Sequence, residues 1–176
     1  MNLSPLNPTR PPAFLPGHKS LILPLAALLV LGSPQVTNAE TRIDKMQPQN
    51  MNIEAQAVIG DRTFDLEVAK TPQQQSLGLM FREQLPEDRG MLFPMDPPRP
   101  ATFWMYNTYI ALDIIFMLDG KIVHLADNVP SCLEQPCPTY GPPRDQLVDQ
   151  VLEFRGGTAQ ELGLEEGDTI QVTEIK

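Results

Sequence analysis

Residues 53–68 alternate apolar and polar side chains in two runs around a Gly60-Asp61 turn. Ile53, Ala55, Ala57 and Ile59 fall on one side of the first run. Phe64, Leu66 and Val68 fall on one side of the second, with Asp65 and Glu67 on the other. A period of two belongs to a strand with one buried face, so two such runs about a glycine turn predict an antiparallel hairpin. Short runs of the same kind recur as MLF (91–93), ATFWM (101–105), LDIIFML (112–118), KIVHLA (121–126), QLVDQVLEF (146–154) and TIQVTEI (169–175). Asp119-Gly120 reads as a tight turn between two of them. About eight short strands without long intervening helices predict a mainly β domain, a small antiparallel sandwich or barrel of jelly-roll type.

Two stretches leave the period of two. In TPQQQSLGLMF (71–81), Thr71 can cap, Pro72 suits the first helical position and Gln74 completes a capping box. Leu77, Met80 and Phe81 would form the apolar stripe, and a close backbone approach would explain Gly78 inside this helix. The second stretch is Thr158–Leu162, with Thr158 and Glu161 as a capping box and Gly163 as its stop. MDPPRP (95–100) can be neither helix nor central strand. Residues 127–146 read as a long loop.

The first 39 residues read as a secretory signal peptide. Arg10, His18 and Lys19 form a basic start, LILPLAALLVL (21–31) is too short to span a bilayer comfortably, and VTNA ends in a small residue suited to cleavage after Ala39. An uncleaved anchor is the alternative. The expectation is therefore an exported protein, periplasmic or extracellular, with residues 40–50 a polar linker and 51–176 a single domain. Cleavage leaves 137 residues, enough for one core, and removes the two cations Arg10 and Lys19, taking the net charge from −9 to −11. So acidic a chain is a poor partner for nucleic acid or anionic lipid. No stable membrane insertion is expected after cleavage, and a monomer is expected. In an oxidising compartment Cys132 and Cys137, the only cysteines, are expected to pair, closing a loop worth roughly 2 kcal/mol. A metal or redox site and two free thiols are the alternatives, and for a metal His124 would be the only histidine left to support it.

The inventory of chemistry is thin. After cleavage the serines are Ser76 and Ser131, neither in a nucleophile elbow, and no phosphate-cradling glycine loop or zinc-protease motif occurs. No cofactor and no metal are expected. His124, between Val123 and Leu125, reads as a half-exposed strand histidine, with a general base as the alternative. Three carboxylates, Asp113, Glu153 and Asp168, fall in or beside apolar stretches. Asp113 needs partners, because an unpaired buried carboxylate is costly. One reading has it accept the N–H groups of the loop 106–111. The other has it face a pocket with Arg82 as counter-charge. Gly156-Gly157-Thr158 could present N–H groups to an anion, though such turns are common.

GLMFR (78–82), GMLF (90–93), FWMYNT (103–108), LDIIF (112–116), VLEFRGGTAQELGL (151–164) and Gly167-Asp168 occur in that order. Together they resemble the secreted, uncharacterised family called domain of unknown function 192. The cysteine loop followed by PTYGP resembles a Cys-containing variant of it. The resemblance implies a small, mainly antiparallel β structure of sandwich or jelly-roll type with short helices. Two positions depart from the pattern: Tyr106 stands where the family usually has Lys, and Ala111 where it often has Pro. A lysine-dependent chemistry would be missing here. No activity follows from the resemblance.

The expected site is a small polar pocket made by Arg82, Trp104, Asn107 and Asp113, with Tyr106 at its mouth. A non-enzymatic module binding a small polar ligand, such as a sugar, suits an indole wall with amide and carboxylate hydrogen bonds. The alternative is a small carboxylate-dependent, glycosidase-like hydrolase using Asp113 with Arg82. It would need a second carboxylate about 5–10 Å away, for which Glu153 is the candidate. A structural, envelope-associated role is the third reading.

Overall fold

The computed structural model describes residues 47–175. The expected signal peptide, its cleavage point and the linker residues before Gln47 lie outside the described residues. Nine strands and two short helices follow in the order β1 (Ile53–Ile59), β2 (Arg62–Val68), α1 (Pro72–Leu77), β3 (Arg89–Arg99), β4 (Phe103–Trp104), β5 (Leu112–Leu118), β6 (Lys121–Val129), β7 (Thr139–Tyr140), β8 (Val148–Arg155), α2 (Thr158–Leu162) and β9 (Gln171–Glu174). Seven strands form one sheet in the order β6-β5-β8-β3-β2-β1-β9, and β4 and β7 form a two-stranded ribbon. The fold is mainly β and sandwich-like, as the alternation predicts. The sheet curls without closing into a barrel: the residues before β9 reach the β5–β6 turn at the far edge, where Ile122 N–H bonds the Asp168 carbonyl (2.8 Å) and Ile170 N–H the Gly120 carbonyl (3.0 Å). One pair departs from the expected antiparallel pattern, since β2 and β3 run parallel with α1 between them.

The alternation gives the sheet two buried faces. Ala55, Ala57, Phe64, Leu66, Ile115, Met117, Leu152, Phe154 and Ile170 form the core on one face, with Leu162 and Leu164 of the α2 region packed against it. Met91, Phe93, Met105, Leu112, Ile114, Phe116 and Val151 form the core on the other, together with Leu79 and Leu85. β5 is buried from Leu112 to Met117 because both faces are covered.

Several local expectations are met and several corrected. α1 has the full capping box, with Thr71 Oγ1 accepting from Gln74 N–H and the Gln74 side chain accepting from Thr71 N–H. It ends at Leu77, and Gly78 is its C-cap rather than an interior residue. Gly78 has φ +49°, a backbone a side chain would strain, so the turn requires glycine; the expected close backbone approach is not found, since an added Cβ would meet the Phe93 ring at an ordinary 3.4 Å. α2 is stopped by Gly163 in the left-handed region, but its N-cap is Gly157 without a side-chain cap. The Thr158–Glu161 box does not form. β3 extends through the proline-rich stretch to Arg99, in a register break between Pro94 and Arg99 where the chain is exposed. β6 likewise runs three residues further than the alternation indicates.

Candidate functional site

Side chains alternate from Phe103 to Tyr106 as a period of two requires, and the alternation ends at Asn107, after which Thr108 is buried. Phe103 and Met105 turn inward, with the Phe103 ring edge-on to Phe93 (5.0 Å) and to Phe116 (5.7 Å). Trp104 and Tyr106 turn outward, their ring centroids 5.4 Å apart and tilted by 46°. β4 pairs with β7, Phe103 opposite Tyr140 and Trp104 opposite Thr139. It does not pair with β5, the next strand in the chain. Cys132 and Cys137 are disulfide-bonded, and Cys132 bridges to Tyr106 and Thr108. The disulfide loop therefore buttresses this segment from below. Asn107 donates its N–H to the Cys132 carbonyl (2.9 Å), and its own carbonyl accepts from Phe81 N–H (2.8 Å). Both residues of this link, Phe81 (φ +66°) and Asn107 (φ +55°), have left-handed backbones. Such conformations cost about 1–3 kcal/mol each in bulky residues and persist only where the surroundings enforce them.

Between α1 and this segment runs an open groove of about 590 Å³. Leu77, Met80, Phe81, Trp104 and Tyr106 form its apolar walls, and Gln47, Gln73, Ser76 and Asn107 supply amides and a hydroxyl. Trp104 is 45% exposed. Among the described residues none that lines the groove is charged.

Arg82 and Asp113 do not meet. Arg82 donates to both oxygens of Glu67 (2.7 and 2.6 Å) and to the Gln49 carbonyl (2.7 Å). Glu67 Oε2 also accepts Met51 N–H at 3.1 Å. The guanidinium thus ties the segment entering the domain to β2. Gln49 Nε2 reinforces it through bonds to the carbonyls of Gln74 (3.0 Å) and Gly78 (2.8 Å). Asp113 is fully buried on the other face of the sheet. Its Oδ1 accepts the N–H groups of Asn128 (2.7 Å) and Gly157 (3.0 Å), and its Oδ2 that of Ala159 (2.6 Å). The acceptor reading is correct in kind, but the N–H groups come from β6 and the start of α2, not from loop 106–111. Within Gly156-Gly157-Thr158, Gly157 N–H goes to this carboxylate, while Gly156 N–H goes to the Ala111 carbonyl (2.8 Å). The expected four-residue pocket therefore forms only in part: Trp104, Tyr106 and Asn107 share the groove, while Arg82 and Asp113 lie elsewhere.

Register removes the glycosidase-like pair as well. β8 lies beside β5, with Ile114 opposite Glu153 and Asp113 opposite Phe154. Opposite residues share a face, so Asp113 and Glu153 project to opposite sides of the sheet. Glu153 is buried and lines a small hollow together with Trp104, and burial pushes its carboxyl up to about 8 against the opposing pull of Arg82. His124 is half-buried on β6 with Nδ1 2.9 Å from Glu166 Oε1, as a strand histidine. Asp168 closes a turn by accepting Glu165 N–H at 2.8 Å. Among the described residues no group of three potential ligands could hold a metal ion, and no helix is long and apolar enough to cross a membrane.

The family model DUF192, described as an uncharacterized ACR, matches residues 54–172. The chain belongs to the DUF192 family. Its match spans α1, the groove segment, β5 and β8, so the groove lies within the family domain. A solved protein of unknown function from Novosphingobium aromaticivorans is 37% identical, with a TM-score of 0.60, over 69% of this chain and 86% of that one. A Sinorhizobium meliloti protein, provisionally described as a transcription regulator, is 29% identical with a TM-score of 0.60 over 70% of this chain and 98% of that one. No curated protein matches the chain. The disulfide fits an oxidising, extracellular-type environment.

Proposed function

We propose that this DUF192 domain is an exported, non-enzymatic binding module for a small neutral ligand of saccharide type, seated in the groove beside α1. The observation that carries the reading is Trp104, an indole left 45% exposed on the wall of a preformed groove. A pyranose presents a C–H-rich face that stacks on indole and a rim of hydroxyls that bonds amides and hydroxyl groups. Trp104 and Tyr106 supply the first, and Gln73, Ser76 and Asn107 the second. The uncharged lining that the described residues give the groove favours an uncharged ligand over a phosphate, a nucleotide or an amine. Its volume of about 590 Å³ suits a disaccharide. The acidic chain, at −9, gives no support for a nucleic-acid ligand.

The test is calorimetric titration of the chain with cellobiose, maltose and chitobiose, alongside Trp104→Ala. Binding on the order of 10 µM or weaker is expected for ligands of this size, with the substitution weakening it about tenfold or more. Equal affinity in the two proteins would refute the groove as the site.

A further inference from the structure

Three carboxylates are buried among the described residues: Glu67, Asp113 and Glu153. The first is held by Arg82 and Met51 N–H, and the second by three N–H groups. Glu153 differs, because its buried Oε2 has no hydrogen-bond partner among the described residues. The described bonds of the nearby Arg82 guanidinium go to Glu67 and Gln49 instead. An unpartnered buried acid costs about 1–3 kcal/mol or more, so its retention needs a reason.

Glu153 lines a small, partly open hollow of about 30 Å³ between α1, β4 and β8. Gly78, Phe103 and Thr108 are among its walls. Ser76 and Trp104 line both the hollow and the groove outside it. The hollow has room for a water or for one or two atoms of a ligand, not for a sugar ring. Resting on the groove reading above, we propose that the hollow is the inner subsite of the groove, where Glu153 hydrogen-bonds a single hydroxyl or carbonyl oxygen of the ligand stacked on Trp104. With its carboxyl held up at about 8, Glu153 is protonated at neutral pH and donates that bond. A neutral acid is consistent with the uncharged lining that the described residues give the groove.

The first test needs no sugar. Crystals soaked in formamide at pH 6.5 should hold the formamide oxygen within hydrogen-bond distance of Glu153. A hollow that stays empty or keeps only water would overturn the subsite. The second test follows the affinity for cellobiose, maltose and chitobiose with pH, in the wild-type chain and in Glu153→Gln, which keeps a donor. Ionisation at about 8 should weaken wild-type binding about thirty-fold between pH 6.5 and 9.5, while the variant stays flat. A flat wild-type profile with binding intact would overturn the subsite and leave the groove reading standing. If no disaccharide binds at any pH, the groove reading fails, and the formamide result alone decides the subsite.

Discussion

Replacing Asp113 by Asn should cost stability and spare the groove. The carboxylate bonds three N–H groups at 2.6–3.0 Å from a fully buried position. Bonds to a charged acceptor contribute about 1.5–3 kcal/mol each. An amide can keep its oxygen towards Asn128 and Gly157, but its NH2 then faces Ala159 N–H, a donor against a donor. One charge-assisted bond is lost, one buried N–H is orphaned and two bonds are weakened, a sum of about 4 kcal/mol. For a domain of this size that lowers Tm by more than about 10 °C. Asp113→Ala, which strands all three N–H groups, should cost more. Urea unfolding followed by far-UV circular dichroism measures the loss, and disaccharide titration of the folded variant measures the site. A loss under 1 kcal/mol, or a stable variant that no longer binds, would refute a purely structural Asp113.

Arg82→Met strands Glu67, whose side chain is about as buried as its partner's, so the loss should reach about 3–5 kcal/mol by denaturant unfolding. Arg82→Lys should recover only part of it, because a single ammonium cannot reproduce the bidentate pair. Replacing both cysteines by Ser should cost roughly 2 kcal/mol and, because Cys132 bridges to Tyr106 and Thr108, should also change the emission of Trp104. Glu153 titrates at about 8 when folded and near 4.5 when unfolded, so between those values the folded chain holds the extra proton. Its contribution is fully present below about 4.5 and is lost as pH rises through 8. Glu153→Gln should flatten the fall in stability between pH 5 and pH 9 by a few kcal/mol, on the order of 1.4 per unit of pKa shift.

How far the sequence could be read follows from what acts locally. The period of two in β1, β2 and β5, the Thr71–Gln74 box and the Gly163 stop depend on neighbours in the chain, and all are present in the fold. The inward Phe103 and Met105 and outward Trp104 come from the same parity. What could not be read depends on which strand lies beside which. The β4–β7 pairing is set by a partner some 35 residues on, across the disulfide loop. The partners of Asp113 are backbone groups of Asn128, Gly157 and Ala159, which have no side-chain signature at all. Glu67, the true partner of Arg82, looked like the outward polar residue of a hairpin strand, and nothing local marks that face as covered. Glu153 had the clearest available signal, a carboxylate between Leu152 and Phe154. Its face depends on register with β5, and a one-residue change there would have put it beside Asp113.

Trp104 is the only tryptophan in the chain, so its fluorescence reports the groove without interference from another indole. Titrating the protein with cellobiose, maltose and chitobiose at pH 6.5 tests the groove most directly. The account predicts a saturable shift or quench for at least one disaccharide, retained in folded Arg82→Met and Asp113→Asn proteins. No change with any of the three, or a change that those two substitutions abolish in a folded chain, would contradict it.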